Sequence, residues 1–133
     1  MQIQYADDPG SYRPGACNIG PAEMARRRSG GLVTVTVAVA LAMGLVAIGA
    51  PAWTRLAIIA PLAAGLISLE QVRRRFCVGF AMAGIRNFGP LGSPQRVEDD
   101  AFRATDRRAA LVMVAYMTAI AAVIGVAFAF LPV

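Results

Sequence analysis

Three apolar blocks, separated by polar and arginine-rich stretches, set the pattern of this 133-residue chain. From Ser29 to Thr54 no residue is charged, and the heart of that stretch, Leu32–Ile48, is apolar or weakly polar throughout, with no amphipathic period. With its flanks it reaches about 20 residues, which at about 1.5 Å per residue crosses a hydrocarbon core of about 30 Å. The block is rich in β-branched residues, which also suit a buried strand, but its length favours a helix. Thr34 and Thr36 are tolerable there, because a helical threonine hydroxyl can bond back to a carbonyl of the preceding turn.

Gly49-Ala50-Pro51-Ala52 reads as a turn. Beside it stands Trp53, a residue favoured at the membrane–water boundary, and Arg55 is expected to snorkel outward from there. The second block, Leu56–Leu69, is short alone. Counted from Arg55 to Val72, with both end charges reaching outward, it spans about 27 Å as a helix. Pro61 is expected to kink it, since a mid-helix proline removes one bond and crowds the preceding turn. Arg73-Arg74-Arg75 ends it.

Phe76–Gly92 is apolar but broken by glycines, and it carries Arg86. Too short to span, it predicts an interfacial or re-entrant segment along the headgroups. Gly89-Pro90 and Gly92-Ser93-Pro94 mark turns. Gln95–Arg108 is charged, with acids mostly early and arginines mostly late, an order that suits a short helix and its dipole. Ala109–Val133 holds no charge and is the clearest span of the three.

The expected fold class is an all-α membrane protein with three transmembrane helices. Its parts are an N-terminal arm over 1–28, a helical hairpin over 29–72, an interfacial loop over 73–108 and a C-terminal helix over 109–133. Arginine placement orients it. Arg13, Arg26, Arg27 and Arg28 precede the first span, and Arg73, Arg74, Arg75, Arg86, Arg96, Arg103, Arg107 and Arg108 lie between the second and third. Only Arg55 falls on the other side, and basic loops stay cytoplasmic. The N-terminus is thus expected inside and the C-terminus outside, in a bacterial cytoplasmic (inner) membrane. Residues 1–28 lack the apolar core of a cleavable signal.

Composition strengthens this reading. Hydrophobic residues make up 57% of the chain and charged ones 16%, and mean hydropathy is +0.57. An ordinary soluble domain has about 45–50% and about 25%. A disordered chain, a collagen-like chain and a disulfide-stapled domain are excluded. The net charge is +5, and every basic residue is arginine. No basic stripe alternates with stacking aromatics, so the charge speaks for lipid headgroups and not for nucleic acid. There is no histidine. No cofactor is therefore expected by side-chain ligation, although lipid or pigment contact by packing stays open. No nucleophile–base pair, phosphate loop or metal spacing is visible, so no enzyme is expected.

Candidate residues divide by role. Small residues recur every fourth position at Ala121, Gly125 and Ala129, with further pairs at Ala115 and Ala119 and at Ala40 and Gly44. Such spacing lets helix backbones approach closely in lipid, although alanine is abundant here in any case. Gly125→Leu is expected to weaken assembly with a partner. Arg26, Arg27, Arg28, Trp53, Arg73, Arg74 and Arg75 are interfacial orientation residues. Tyr5, Tyr12 and Arg13 give the N-terminal arm a composition suited to ordering on a partner. Cys17 and Cys77 fall on the same side and stand either as packing residues or as a thiol pair. Glu70 is expected to pair with Arg73 or Arg74 on its own helix face. Glu98-Asp99-Asp100 reads as a solvated helix start.

Cys17-Asn18-Ile19-Gly20, then Arg26–Arg28, two apolar spans, Phe76-Cys77 and Gly84-Ile85-Arg86-Asn87 together resemble the small YgaP-type transmembrane domain of bacteria. The resemblance covers residues 17–88. It implies a cytoplasmic-facing hairpin that can self-associate, and no chemistry, since enzymatic members carry that in a separate rhodanese domain. This chain has Val78 where the family has proline after the second cysteine, and Phe88 replaces a further cysteine. Residues 95–133 are an addition.

The function expected from all this is contact. The first expectation is a non-catalytic accessory subunit that stabilises a larger energy-transducing membrane complex, a photosynthetic reaction centre with its antenna or a respiratory complex. Its partners would be other membrane subunits and lipids. The alternatives are a free-standing homo-oligomeric hairpin protein with a thiol or sulfur-related role, and a small multimeric transporter.

Overall fold

A computed structural model describes residues 12–133. The first helix, α1, runs from Pro21 to Ala47. Proline at its first position, after an extended Gly20, is preset for a helical start. The helix therefore begins inside the segment expected to be an arm, and Arg26, Arg27 and Arg28 ride on its opening turns. Thr34 and Thr36 donate to the carbonyls of Gly30 and Leu32 at 2.6 and 2.8 Å, as expected.

The second span opens as a 3₁₀ helix, Ala52–Ile58, and continues as α2, Ile59–Arg74. The tighter winding rises about 2.0 Å per residue, so the two pieces together extend about 38 Å. This is how a short apolar block reaches across. Pro61 does not kink a helix interior as expected. It lies in the first turn of α2, just after the winding changes from 3₁₀ to α.

The segment after α2 folds into a short helix, α3 (Val78–Ala83), and a two-stranded ribbon. In that ribbon β1 (Ile85–Arg86) pairs antiparallel with β2 (Gln95–Arg96), Ile85 facing Arg96. Phe76, Ala81, Ala110 and Met113 form a small core beneath it. The last helix, α4, runs unbroken from Asp100 to Ala129 and merges the expected short helix with the third span. No glycine or proline lies between Gln95 and Ile124 to divide them. Asp99 caps α4 by accepting from the N–H groups of Ala101 and Phe102.

Three helices are long and apolar enough to cross a membrane: Pro21–Ala47, Ala52–Arg74 and Asp100–Ala129. α2 packs against both α1 and α4, which scarcely touch each other. Close approach depends on small residues. A Cβ on Gly65 would sit 2.5 Å from a methyl of Val35, and one on Gly31 would sit 2.9 Å from Leu69. A Cβ on Gly125 would collide with Ile59. Ala121, Gly125 and Ala129 are all buried on the inner face of α4, so this stripe serves contact within the chain. Ala40 and Gly44 do not: both are exposed, and a Cβ on Gly44 would meet nothing within 4 Å. The inner face of α1 is set instead by Gly31, Val35 and Ala38.

Candidate functional site: a polar knot at the arginine-rich end

The start of α1, the end of α2 and the α3–β1 segment meet at one end of the bundle. Asn18, fully buried, clamps the backbone of Cys77: its Oδ1 accepts from Cys77 N at 2.6 Å, and its Nδ2 donates to Cys77 O at 3.1 Å. Arg75, in the left-handed conformation (φ 55°), closes α2 and offers its carbonyl to the N–H groups of Asn18 and Ile19. Ile19 and Asn87 form a parallel bridge, with Asn87 N donating to Asn18 O and Gly20 N to Asn87 O, both at 2.9 Å. A Cβ on Gly20 would lie 2.6 Å from the carbonyl oxygen of Phe88, so this crossing needs glycine.

Below the crossing sits an ion pair with a buried carboxylate. Glu23 is 2% exposed, and its Oε1 accepts from Arg27 Nη1 at 2.5 Å. Its Oε2 accepts from Asn87 Nδ2 at 2.9 Å. Asn87 also donates to Pro90 O and accepts from Gly89 N, so both its donors and its carbonyl are engaged. Arg27 reaches on with Nη2 to Cys77 Sγ at 2.7 Å and lies over the Phe80 ring at 5.2 Å. Cys77 Sγ also accepts from Phe80 N at 3.4 Å, capping α3, while Gln71 Oε1 takes Val78 N at 2.8 Å. A guanidinium beside sulfur is the environment that reactive cysteines use. Here Glu23 shares the guanidinium, and the sulfur is buried.

A second cluster fixes the chain before α1. The Tyr12 hydroxyl donates to Asp106 Oδ2 and Gly15 N to Asp106 Oδ1, both at 2.6 Å, and Asp106 is fully buried. Burial pushes the Tyr12 hydroxyl well above its ordinary pKa of 10.0, and the hydrogen bond and charge of Asp106 add to the shift. Tyr12 therefore docks on its own chain and is not held out for a partner. Its hydroxyl finds in α4 the acceptor that a buried phenol needs. Arg13 is exposed and forms a tight turn with Cys17. Tyr5 lies outside the described residues. Cys17 packs among Tyr12, Phe88 and Val97, and burial raises its thiol. Both cysteines are free and have different neighbours.

At the opposite end Arg55 departs from the expected snorkel. It is 5% exposed and donates to the carbonyls of Leu131 at 2.9 Å and Val133 at 2.5 Å, over the Phe128 ring. Both oxygens lie just past the end of α4, where the negative end of the helix dipole also attracts a cation, and this draws the side chain inward. Trp53 is exposed. Glu70 pairs with both Arg73 and Arg74 at 2.6–2.7 Å, as expected.

Residue reasoning missed the structural roles of Asn18, Glu23, Gln71, Asn87 and Asp106. The Glu23–Arg27 pair was findable, since the two stand four apart at a helix start. Asp106 was not, because it looks like any acid in a charged run. Among the described residues no group of three or more His, Cys, Asp or Glu could hold a metal. No protein-family model, curated protein or solved structure matches the chain.

Proposed function

We propose that this chain is a non-catalytic accessory subunit of a larger membrane complex, attached to its neighbours by helix packing and by its arginine-rich end. One observation carries the reading: the small-residue stripes are divided. Ala121, Gly125 and Ala129 are used inside, whereas Ala40 and Gly44 on α1 and Ala115 and Ala119 on α4 face outward. In lipid such stripes let a neighbouring helix come close. The outward stripe of α4 floors an open apolar groove of about 430 Å³ between Tyr116, Ile120, Val123 and Ile124. Pigment or lipid contact by packing suits the same groove.

The arginine-rich end is proposed to be cytoplasmic and the Arg55 end external, in a bacterial inner membrane. A photosynthetic reaction centre with its antenna, or a respiratory complex, is the proposed setting. That choice rests on small size and apolar shafts, not on any one residue. Mild-detergent purification, with identification of companions and an absorption spectrum, tests it. Companion subunits of one energy-transducing complex are expected, and a colourless, solitary product overturns the proposal.

A second reading is a homo-oligomeric hairpin protein of the YgaP type with a thiol role. It is favoured by the Arg27–Cys77 contact and by the meeting of Asn18, Cys77 and Asn87, the pieces on which the resemblance rests. A Cys17→Ser, Cys77→Ser double variant that loses function with assembly intact would favour it over the first.

A further inference from the structure

A separate groove of about 390 Å³ lies between the Tyr12 turn, the β-ribbon and the start of α4. Its size falls within the range of about 300–1,000 Å³ usual for small-ligand sites. Arg86 lines it, stacked over the Tyr12 ring at 5.2 Å. The Nε of Arg86 is buried with no hydrogen-bond partner among the described residues. A buried donor left unmet is costly. Arg96, Glu98 and Asp99 also line the groove, together with Phe102, whose ring is 6.2 Å from that of Tyr12.

Two cations and two carboxylates cancel, so a ligand of net charge gains nothing from the lining as a whole. A ligand carrying both signs meets a complement at each end. Guanidinium groups match the oxygens of a phosphate. Aromatic faces and a carboxylate match an ammonium. Asp99 already caps α4, which leaves Glu98, exposed at the rim, for the cation. We propose that this groove binds a zwitterion joining a phosphate ester to an ammonium, with the phosphate on Arg86 and Arg96 and the ammonium between Glu98 and the Tyr12–Phe102 rings. Phe102 stands about 10 Å along α4 from Ala109, where the uncharged stretch begins. At that level the ligand can be a free glycerophosphoethanolamine, whose phosphodiester carries a single negative charge, or the headgroup of an ethanolamine phospholipid.

The full chain in non-ionic detergent, titrated with glycerophosphoethanolamine and with inorganic phosphate and followed by ³¹P NMR, reads the free form. Reconstitution with phosphatidylethanolamine or phosphatidylglycerol, followed by native mass spectrometry, reads the lipid form. The zwitterion should bind at least tenfold tighter than its purely anionic counterpart in one of the two formats. Arg86→Gln should weaken it tenfold or more. Glu98→Gln, a rim substitution that leaves the fold alone, should abolish the preference over the anion while leaving phosphate binding in place. Binding of the soluble compound assigns a free ligand, and lipid retention alone assigns a headgroup; either supports the proposal. Absence of saturable binding in both formats, equal affinity for zwitterion and anion, or a preference that survives Glu98→Gln overturns it.

Discussion

The arginine-rich end and the helical shafts of this protein are held together by opposite means. In the shafts the contacts are small residue against side chain: Gly65 against Val35, Gly31 against Leu69, Gly125 against Ile59. Around them the helices expose Leu32, Val33, Met43, Leu111 and Val123. At the arginine-rich end Asn18, Glu23, Arg27, Cys77 and Asn87 join through bonds that reach across as many as 69 residues. Hydrocarbon gives apolar helices no hydrophobic reason to associate, so the shafts gain only what shape and dispersion supply. Polar groups that satisfy one another have few alternative partners, so the knot can set which helix ends meet. The shafts make the protein soluble in lipid, and the knot makes its arrangement specific.

Breaking the knot should therefore cost more than disturbing a shaft. The largest effect is expected from Glu23→Ala, which leaves the half-buried Arg27 guanidinium beside Cys77 without its anion. Loss of one partner of a buried pair typically costs about 3–5 kcal/mol. Asp106→Ala should follow at about 3 kcal/mol, since it strands two donors, the Tyr12 hydroxyl and Gly15 N. Both are measured by equilibrium unfolding in detergent. In the shafts Gly125→Leu, overpacked against Ile59, should lose about 2 kcal/mol. Gly44→Leu should leave the isolated chain unchanged, because nothing stands near it, and should report only on contacts with neighbouring subunits. If Gly125→Leu proves costlier than Glu23→Ala, this division of labour between knot and shafts fails.

That division also explains what could be read from sequence. The shafts were legible because an uncharged run from Ser29 to Thr54 or from Ala109 onward has one solution in lipid. Local bonds were legible for the same reason: Thr34 to Gly30, or Glu70 to Arg73, depend only on helix spacing. The stripe at Ala121, Gly125 and Ala129 was recognised, but its occupant was not. Ala40 and Gly44 share its spacing, yet they face the other way, because spacing names a face without saying what lies opposite. The knot was the least legible part. Asn18 and Asn87 stood out only through a resemblance in short motifs, and nothing in a linear pattern announces that Asp106 will receive Tyr12 from 94 residues away. Arg55 misled because a lone arginine at a span edge normally seeks water, and here the carbonyls of Leu131 and Val133 offered a nearer partner.

The Tyr12 anchor gives the smallest and most selective test, because high pH releases it while the arginines stay charged. Its hydroxyl is kept protonated by burial first and by Asp106 second, so its folded pKa lies above the ordinary 10.0. A raised folded value means that the contribution is fully present below pH 10 and is lost as pH climbs toward the folded value. Deprotonation would set a phenolate against the Asp106 carboxylate in place of a hydrogen bond. Tyr12→Phe removes both the bond and its titration, so at neutral pH it should cost about 1 kcal/mol. From about pH 10 upward the wild-type chain should lose stability faster than the variant, and the two unfolding curves should converge. Tyr5 and Tyr116 are present in both proteins, so the difference between the curves belongs to Tyr12. Parallel curves across that range would mean that this hydroxyl is not the group linking the segment before α1 to α4, and that the backbone bond from Gly15 holds it alone.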